Sequence, residues 1–249
     1  MKKILVSTLI IMSLISCQED EAKEENLNEL SFSVFQKKWT DSNLNFSLLG
    51  KKESTTCYLF SKNEINDLQE NSRLEKLRFV LGLTNGKIDI KTQGVDINGE
   101  GLGIINSEIY FEKSLDESIG KLGYSNQKFI SNNSISTNHL LNPQKAFEYI
   151  NKWNKRSNET KILSNIVSYD NNRIKHFSIE KEVINEISHF TNFNYLGVIL
   201  GVNPEDKLTT VLVGLDENKN IILPSSLSKT GESNGGIYDF TQPCPSTCD

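Results

Sequence analysis

The chain has 249 residues, of which 37% are hydrophobic and 24% are charged, with 27 Lys and Arg against 32 Asp and Glu. This composition is sufficient for a sizeable core and excludes general disorder, and the length allows one or two domains. The formal charge of -5 argues against nucleic acid as a partner, because binding phosphate groups requires a basic surface.

The N-terminus has the organisation of a cleaved export signal. Two lysines precede an apolar run over residues 4–15, which is too short to cross a hydrocarbon layer of roughly 30 Å as a helix. The run ends in Leu14-Ile15-Ser16-Cys17, which resembles the lipobox of bacterial lipoproteins. The resemblance implies a signal peptide over residues 1–16 and a mature N-terminus at a diacylated Cys17. The alternative is an ordinary secretory signal in which the cysteine falls at this position by chance.

A polar, acidic stretch over residues 17–30 follows and predicts a flexible tether. Its start, Cys17-Gln18-Glu19-Asp20-Glu21, resembles the acidic export tag of surface-exposed Bacteroidota lipoproteins. That resemblance implies an outer-membrane lipoprotein displayed at the cell surface, whereas the alternative is a solvated charged spacer. Without residues 1–16 the chain keeps 25 basic and 32 acidic side chains, so its contact with the membrane would depend on acyl chains.

Two parts of the chain resemble each other, which predicts an internal duplication. Three matched pairs keep their order at offsets of 114 to 120 residues: 77–83 with 196–202, 94–98 with 214–218, and Trp39 with Trp153. The predicted fold class is α+β, with two tandem related copies that each pack helices on a small antiparallel sheet. The copies are predicted over residues 31–105 and 145–224, with a connector over 106–144 and a C-terminal tail over 225–249.

Each copy is predicted to open with an amphipathic helix. Phe35 and Trp39 are four residues apart in the first copy, as Tyr149 and Trp153 are in the second. Residues at this spacing lie on one face of a helix. We therefore predict that these four aromatic side chains anchor the helices to the core.

Capping residues mark the starts of three helices, one of which is the opening helix of the second copy. Ser61 and Glu64 have the spacing of a capping box, and Asn142-Pro143 combines an N-cap residue with proline at the first helical position. In the connector, a strand is followed by Ser114 and Glu117, which predict another capping box. A loop rich in serine and asparagine completes the connector.

After the second helix of each copy, the residues have the composition typical of β-strands. Asn85-Gly86 predicts a hairpin turn, because both residues tolerate a positive φ. The second copy has Val211-Leu212-Val213 where the first has Lys91-Thr92-Gln93. Strands that are apolar throughout are buried on both faces. We therefore expect the second copy to carry the better-buried sheet.

The cysteines left after lipidation are Cys57, Cys244 and Cys248. A local disulfide between Cys244 and Cys248 is one candidate, and a bridge from Cys57 to either tail cysteine is another. Free thiols and a partial metal site are the remaining alternatives. The ending Cys244-Pro-Ser-Thr-Cys248 resembles that of Bacteroidota lipoproteins with no assigned activity, so the resemblance implies a placement and no mechanism.

The chain carries no motif for catalysis, and we predict no cofactor, metal or catalytic residue. Its histidines, His139, His176 and His189, lack a sequence context that would pair them with a nucleophile. Asp96 and Asp216 stand at equivalent turns of the two copies, where a role in capping the turn is predicted. The segment that begins at Asp96 lacks the glycine and the final glutamate of a calcium-binding loop.

The function predicted from these patterns is that of a lipid-anchored, non-catalytic binding or assembly module of the cell envelope. Its partners would be the membrane, through acylated Cys17, and an unidentified protein or small ligand. A ligand is expected in a cleft at the junction of the two similar sheets. The alternative is an envelope enzyme that uses carboxylates at this interface, with Asp96 and Asp216 as the candidates.

Overall fold

The computed structural model describes residues 31–43, 54–124, 139–157, 160–223, 236–238 and 242–244. Helix α1 occupies residues 31–41. The other elements follow in chain order: β1 (Cys57–Ser61), α2 (Lys62–Gln69), β2 (Lys76–Thr84), β3 (Lys87–Val95), β4 (Gly101–Asn106), β5 (Glu108–Tyr110), α3 (Lys113–Gly123), α4 (Pro143–Arg156), α5 (Thr160–Ile166), β6 (Ser168–Tyr169), β7 (Asn172–Arg173), β8 (His176–Glu180), α6 (Lys181–Ser188), β9 (Tyr195–Val202), β10 (Leu208–Leu215), β11 (Ile237–Tyr238) and β12 (Gln242–Cys244).

The strands form two antiparallel sheets of five strands each, which confirms the α+β class. Sheet A has the order β11-β10-β9-β1-β5, and sheet B has the order β12-β8-β2-β3-β4. Strands β6 and β7 form a separate two-stranded hairpin. A mixed fold of this kind places its helices on the faces and at the ends of the sheets.

Each sheet combines strands from both predicted copies. In sheet A, β1 of the first copy pairs with β9 of the second, with Cys57 opposite Ile199. In sheet B, β8 of the second copy pairs with β2 of the first, with His176 opposite Val80. The expectation that each copy builds a sheet from its own strands is therefore wrong. Helices α2 and α6 each connect a strand of one sheet to a strand of the other.

The two exchanged strands are related by the spacing of 119 residues that the sequence comparison uses. This offset converts the pair Cys57–Ile199 of sheet A into the pair His176–Val80 of sheet B. It also relates two backbone hydrogen bonds at the starts of α2 and α6: Lys62 N to Asn194 O at 2.8 Å, and Lys181 N to Glu75 O at 3.0 Å. The exchange is thus reciprocal, residue by residue, while a common origin of the copies stays a prediction.

Two hydrophobic clusters hold the layers together. The larger lies between the sheets and includes both tryptophans, Trp39 and Trp153. The smaller lies between sheet A and helices α3 and α4. Because sheet A is covered on both faces, all of β10 and all of β9 beyond Tyr195 are buried, whereas Lys91 and Gln93 of β3 remain partly exposed. The strands of the predicted second copy are thus better buried, as expected, although they belong to sheets that both predicted copies share.

Two of the three predicted helix starts are confirmed. Ser61 and Glu64 form the capping box of α2, and the Asn142 side chain accepts a hydrogen bond from Gln144 N at 2.9 Å at the start of α4. The capping box predicted at Ser114 and Glu117 is wrong. Helix α3 begins at Lys113 with Glu112 at the N-cap, two residues earlier than predicted, so Ser114 does not occupy the N-cap position. Its hydroxyl lies 2.9 Å from the Tyr110 hydroxyl instead.

The first helix of each copy crosses its sheet at a glycine. A Cβ atom on Gly82 would lie 2.2 Å from the Phe35 ring, and one on Gly201 would lie 3.0 Å from the Tyr149 Cβ atom. These close approaches leave no room for a larger side chain at either position, which explains the glycine there. Phe35 and both tryptophans are buried as predicted, whereas Tyr149 is only half-buried. Among the described helices, none has both the length and the apolar character needed to cross a bilayer.

Candidate functional site

A polar groove of about 720 Å³ opens at the end of the molecule where α1, α5 and the β6–β7 hairpin meet. We call it the basic groove, because three of its side chains are cationic and one is anionic. Its lining residues are Thr40, Ser164, Asn165, Ser168, Asp170, Asn171, Asn172, Arg173, Lys175 and Lys207. Thr40 belongs to the first predicted copy, whereas Lys207 belongs to the second.

The β6–β7 hairpin supplies the rim of the basic groove. Its two-residue turn, Asp170-Asn171, has φ values of 45° and 64°, as a type I′ turn requires. Asparagine and aspartate tolerate this conformation better than other non-glycine residues. The sequence analysis did not predict this hairpin, although Asp-Asn between Tyr169 and Asn172 is a recognisable turn signal.

Arg173 is held in position by backbone groups of the α1 region. Its Nη1 donates hydrogen bonds to the Trp39 carbonyl, to the Ser42 carbonyl at 2.9 Å and to the Ser42 hydroxyl at 3.0 Å. Its guanidinium carbon lies 5.2 Å from the centre of the Trp39 ring, within range of a cation–π interaction. Burial lowers the pKa of Arg173, and the nearby Asp41 charge opposes that effect. An arginine pKa begins so high that the side chain stays charged.

Lys207 lies on the opposite side of the same rim. Its ammonium group donates to the Asn165 and Ser168 carbonyls, each at 2.7 Å, and lies 5.2 Å from the centre of the Tyr169 ring. Burial is the main cause of the raised pKa of Tyr169, which therefore stays a neutral phenol at physiological pH. Lys207 thus joins the end of α5 to the hairpin.

The third cation, Lys175, is fixed through its backbone by the C-terminal strand. Its N–H donates to the Cys244 carbonyl at 2.9 Å, and its carbonyl accepts from Leu81 N at 2.9 Å. Cys244 is disulfide-bonded, while Cys57 carries a free thiol. The alternative bridge from Cys57 to the tail is therefore absent from this structure, and the pairing of Cys244 with Cys248 stays a prediction because Cys248 lies outside the described residues.

In the charge cluster next to the groove, the cations are paired with a carboxylate. Asp206 lies next to Lys207 in the chain, and its carboxylate forms salt bridges with Lys152 at 2.5 Å and with Arg156 at 3.0 Å. The Lys152 hydrogen bond is the main cause of the lowered pKa of Asp206. Two cations of α4 are thus paired with a carboxylate. In contrast, the groove cations Arg173 and Lys207 are held by neutral carbonyl and hydroxyl groups.

The two candidate carboxylates of the sequence analysis act within their own turns. Asp96 Oδ1 accepts hydrogen bonds from Asn98 N and Glu100 N, each at 2.9 Å. Asp216 Oδ1 accepts from Asn218 N and from the backbone N of residue 220 in the same way, again at 2.9 Å. This confirms the predicted role in capping the turns. The contacts recorded for the described residues do not bring Asp96 and Asp216 together.

The histidines and Cys57 are also separate from one another. Cys57 is buried between sheet A and the α3–α4 layer, and burial raises the pKa of its thiol. His139 lies 3.5 Å from Glu180, His176 begins β8, and His189 Nδ1 lies 2.6 Å from the Asn185 carbonyl at the end of α6. A buried thiol that stays protonated is a weak nucleophile.

The space between the two sheets is filled by the larger hydrophobic cluster, so the expectation of a ligand cleft at that junction is wrong. Within the part of the chain that the structure describes, no three His, Cys, Asp or Glu side chains are grouped so that they could hold a metal ion. The predicted lipidation site, Cys17, lies outside the described residues. Comparison of the chain with protein-family models, with curated proteins and with solved structures gave no match.

Proposed function

We propose that this chain is a lipid-anchored, non-catalytic binding module of the bacterial cell envelope, and that its ligand binds in the basic groove. The anchor would be the acylated Cys17, followed by the acidic tether over residues 17–30. The observation that carries the binding role is the groove itself: about 720 Å³, lined by hydroxyl, amide and cationic side chains. A concave site with convergent polar groups is the usual form of a ligand site.

The construction of the groove also supports a binding role. The side chains of Arg173 and Lys207 are held by hydrogen bonds that join separate parts of the chain, with Arg173 bonded to residues 131 and 134 positions away. Side chains fixed in this way lose little entropy when a ligand binds, which favours affinity. The free thiol of Cys57 is buried in the core, and burial raises its pKa, so it stays protonated. A protonated, buried thiol is a poor nucleophile, which favours a binding role over covalent chemistry.

The anchor is tested by changing the lipobox cysteine. The Cys17→Ser variant is expected to lose incorporated fatty acid and to accumulate as the uncleaved precursor, because lipidation precedes cleavage in the family that it resembles. Intact mass measures both effects. Ser16→Ala is the matched control, since it keeps a small residue before the cysteine and should be processed normally. Acylation of the Cys17→Ser chain would contradict the proposal.

The groove is tested by blocking it. Ser164 is an exposed residue of α5 in the groove lining, so Ser164→Trp is expected to fill the space without disturbing the core. Wild-type protein is screened by NMR against a mixed set of neutral, acidic and basic small polar molecules, and each hit is titrated against the variant. We expect at least a tenfold loss of affinity. Glu117→Trp, at an exposed position of α3, is the control and should bind like wild type. Hits that bind Ser164→Trp unchanged would place the ligand elsewhere.

A further inference from the structure

We infer that the ligand of the basic groove is an oxyanion, a small polar molecule that carries a carboxylate, phosphate or sulfate group. This inference rests on the proposed function, because it names the ligand class of the same site. The site is built by Arg173, Lys175 and Lys207, with the hydroxyl and amide side chains of the rim beside them.

The first argument is the charge balance of the groove. Its lining has three cations and a single carboxylate, that of Asp170, although the whole chain has a net charge of -5. Within the described residues, no salt bridge involves Arg173, Lys175 or Lys207. Asp41 acts on Arg173 through its charge without forming a salt bridge, so the groove keeps an excess of positive charge in one concave place on an acidic protein. Such a concentration raises the local density of anions and favours their binding.

The second argument is the orientation of Arg173. All of its hydrogen bonds to described residues leave from Nη1. This arrangement fixes the plane of the guanidinium and leaves the donors on Nη2 and Nε for another acceptor. A guanidinium edge matches the two oxygens of a carboxylate or phosphate, which can accept two parallel hydrogen bonds.

The third argument is the contrast with the adjacent cluster at Asp206. Lys152 and Arg156 share that carboxylate, so their charge is balanced within the protein. Lys207 is the next residue in the chain, yet its ammonium group is held by the carbonyls of Asn165 and Ser168. Carbonyl oxygens orient an ammonium group without neutralising its charge. Arg173 and Lys207 are therefore positioned and still able to attract an anion.

The test compares matched probes on the full mature protein at constant ionic strength. The probes are trigalacturonate, a neutral galactose trisaccharide of the same length, citrate and inorganic phosphate. Binding is measured by calorimetry and by NMR titration. We expect the acidic probes to bind saturably and the neutral trisaccharide to bind at least tenfold more weakly. The citrate and phosphate arms separate a carboxylate site from a phosphate site.

Charge reversal then locates the binding. Lys175→Glu is expected to weaken the acidic probes about tenfold or more, because Lys175 is exposed and its backbone bonds do not depend on its side chain. Lys175→Arg keeps the positive charge and should bind the acidic probes like wild type. Lys87→Glu is the control: Lys87 is an exposed lysine at the start of β3, outside the groove lining, and should have no effect.

Three outcomes would overturn the inference. If Lys175→Glu and Lys87→Glu weaken binding equally, the probes respond to the overall charge of the protein and not to the groove. Equal binding of the neutral and acidic trisaccharides, lost in Ser164→Trp, would refute the oxyanion but retain the groove as a binding site. If no acidic probe binds wild type at 10 mM, a concentration on the order of the weakest specific dissociation constants, the oxyanion inference is refuted. The proposed function is then judged separately by the Ser164→Trp experiment.

Discussion

Replacing both tryptophans by alanine is expected to unfold the protein. Trp39 and Trp153 are 0% and 1% exposed, and they enter the same core cluster from α1 and α4. Removal of a large buried aromatic side chain costs about 3–5 kcal/mol, so the double variant loses about 6–10 kcal/mol. This is comparable with the whole stability of a typical domain, about 5–15 kcal/mol. Circular dichroism and denaturant titration measure the effect. A cooperative native-like transition in the double variant would contradict the shared core.

The matched phenylalanine variants separate the two tryptophans. Trp39 Nε1 donates a hydrogen bond to the Ile174 carbonyl at 2.6 Å, whereas Trp153 Nε1 is buried and has no hydrogen-bond partner among the described residues. Trp39→Phe is therefore expected to cost about 1 kcal/mol more than Trp153→Phe, because it leaves a buried carbonyl without its donor. Equal costs would show that the hydrogen bond contributes little.

A chain divided between Tyr124 and His139 is expected to fold only when both fragments are present. The reason is the strand exchange: β1 needs β9 of the other fragment, and β2 needs β8. A fragment alone exposes strand edges and half of the core between the sheets. We expect co-expressed fragments to purify as one complex with native circular dichroism, and separate fragments to be unfolded or aggregated.

The control for this experiment is the intact protein cleaved after folding at a protease site introduced between the same residues. The cleaved protein should keep its structure, because the sheets hold the fragments together. Once the two fragments are separated in denaturant, neither should refold when it is diluted alone. The one folded form expected from a single fragment is a dimer, in which a second copy supplies the missing strand. A monomeric, cooperatively folded fragment would contradict the exchange.

Local features of this fold were predictable from neighbouring residues. The capping box at Ser61 and Glu64, the turn at Asn85-Gly86 and the aspartate-capped turns at Asp96 and Asp216 all formed as their sequences indicate. In each case the interacting groups lie within a few residues, so the side-chain chemistry alone selects the conformation. The failure at Ser114 shows the limit, since a contact with Tyr110 and an earlier helix start replaced the predicted cap.

Only part of the candidate site could be predicted from neighbouring residues in the sequence. The turn residues Asp170-Asn171 carry a readable signal for the hairpin at the groove rim. However, Arg173 belongs to the site because it bonds to Trp39 and Ser42, far away in the chain. A lysine or arginine looks the same in the sequence whether its side chain forms a salt bridge, as at Arg156, or bonds to neutral carbonyls, as at Lys207.

The amino-acid order thus determined the class of fold, the caps and turns, and which strands are buried on both faces. The choice of strand partners was made by the tertiary structure, because backbone hydrogen bonds are chemically alike and cannot distinguish a strand's own copy from the other one. Packing accompanies that choice: with the strands exchanged, β1 and β8 complete sheets whose inner faces form one continuous core. The basic groove follows from the same closure, since it exists only where α1 of one copy meets the hairpin that precedes β8 of the other.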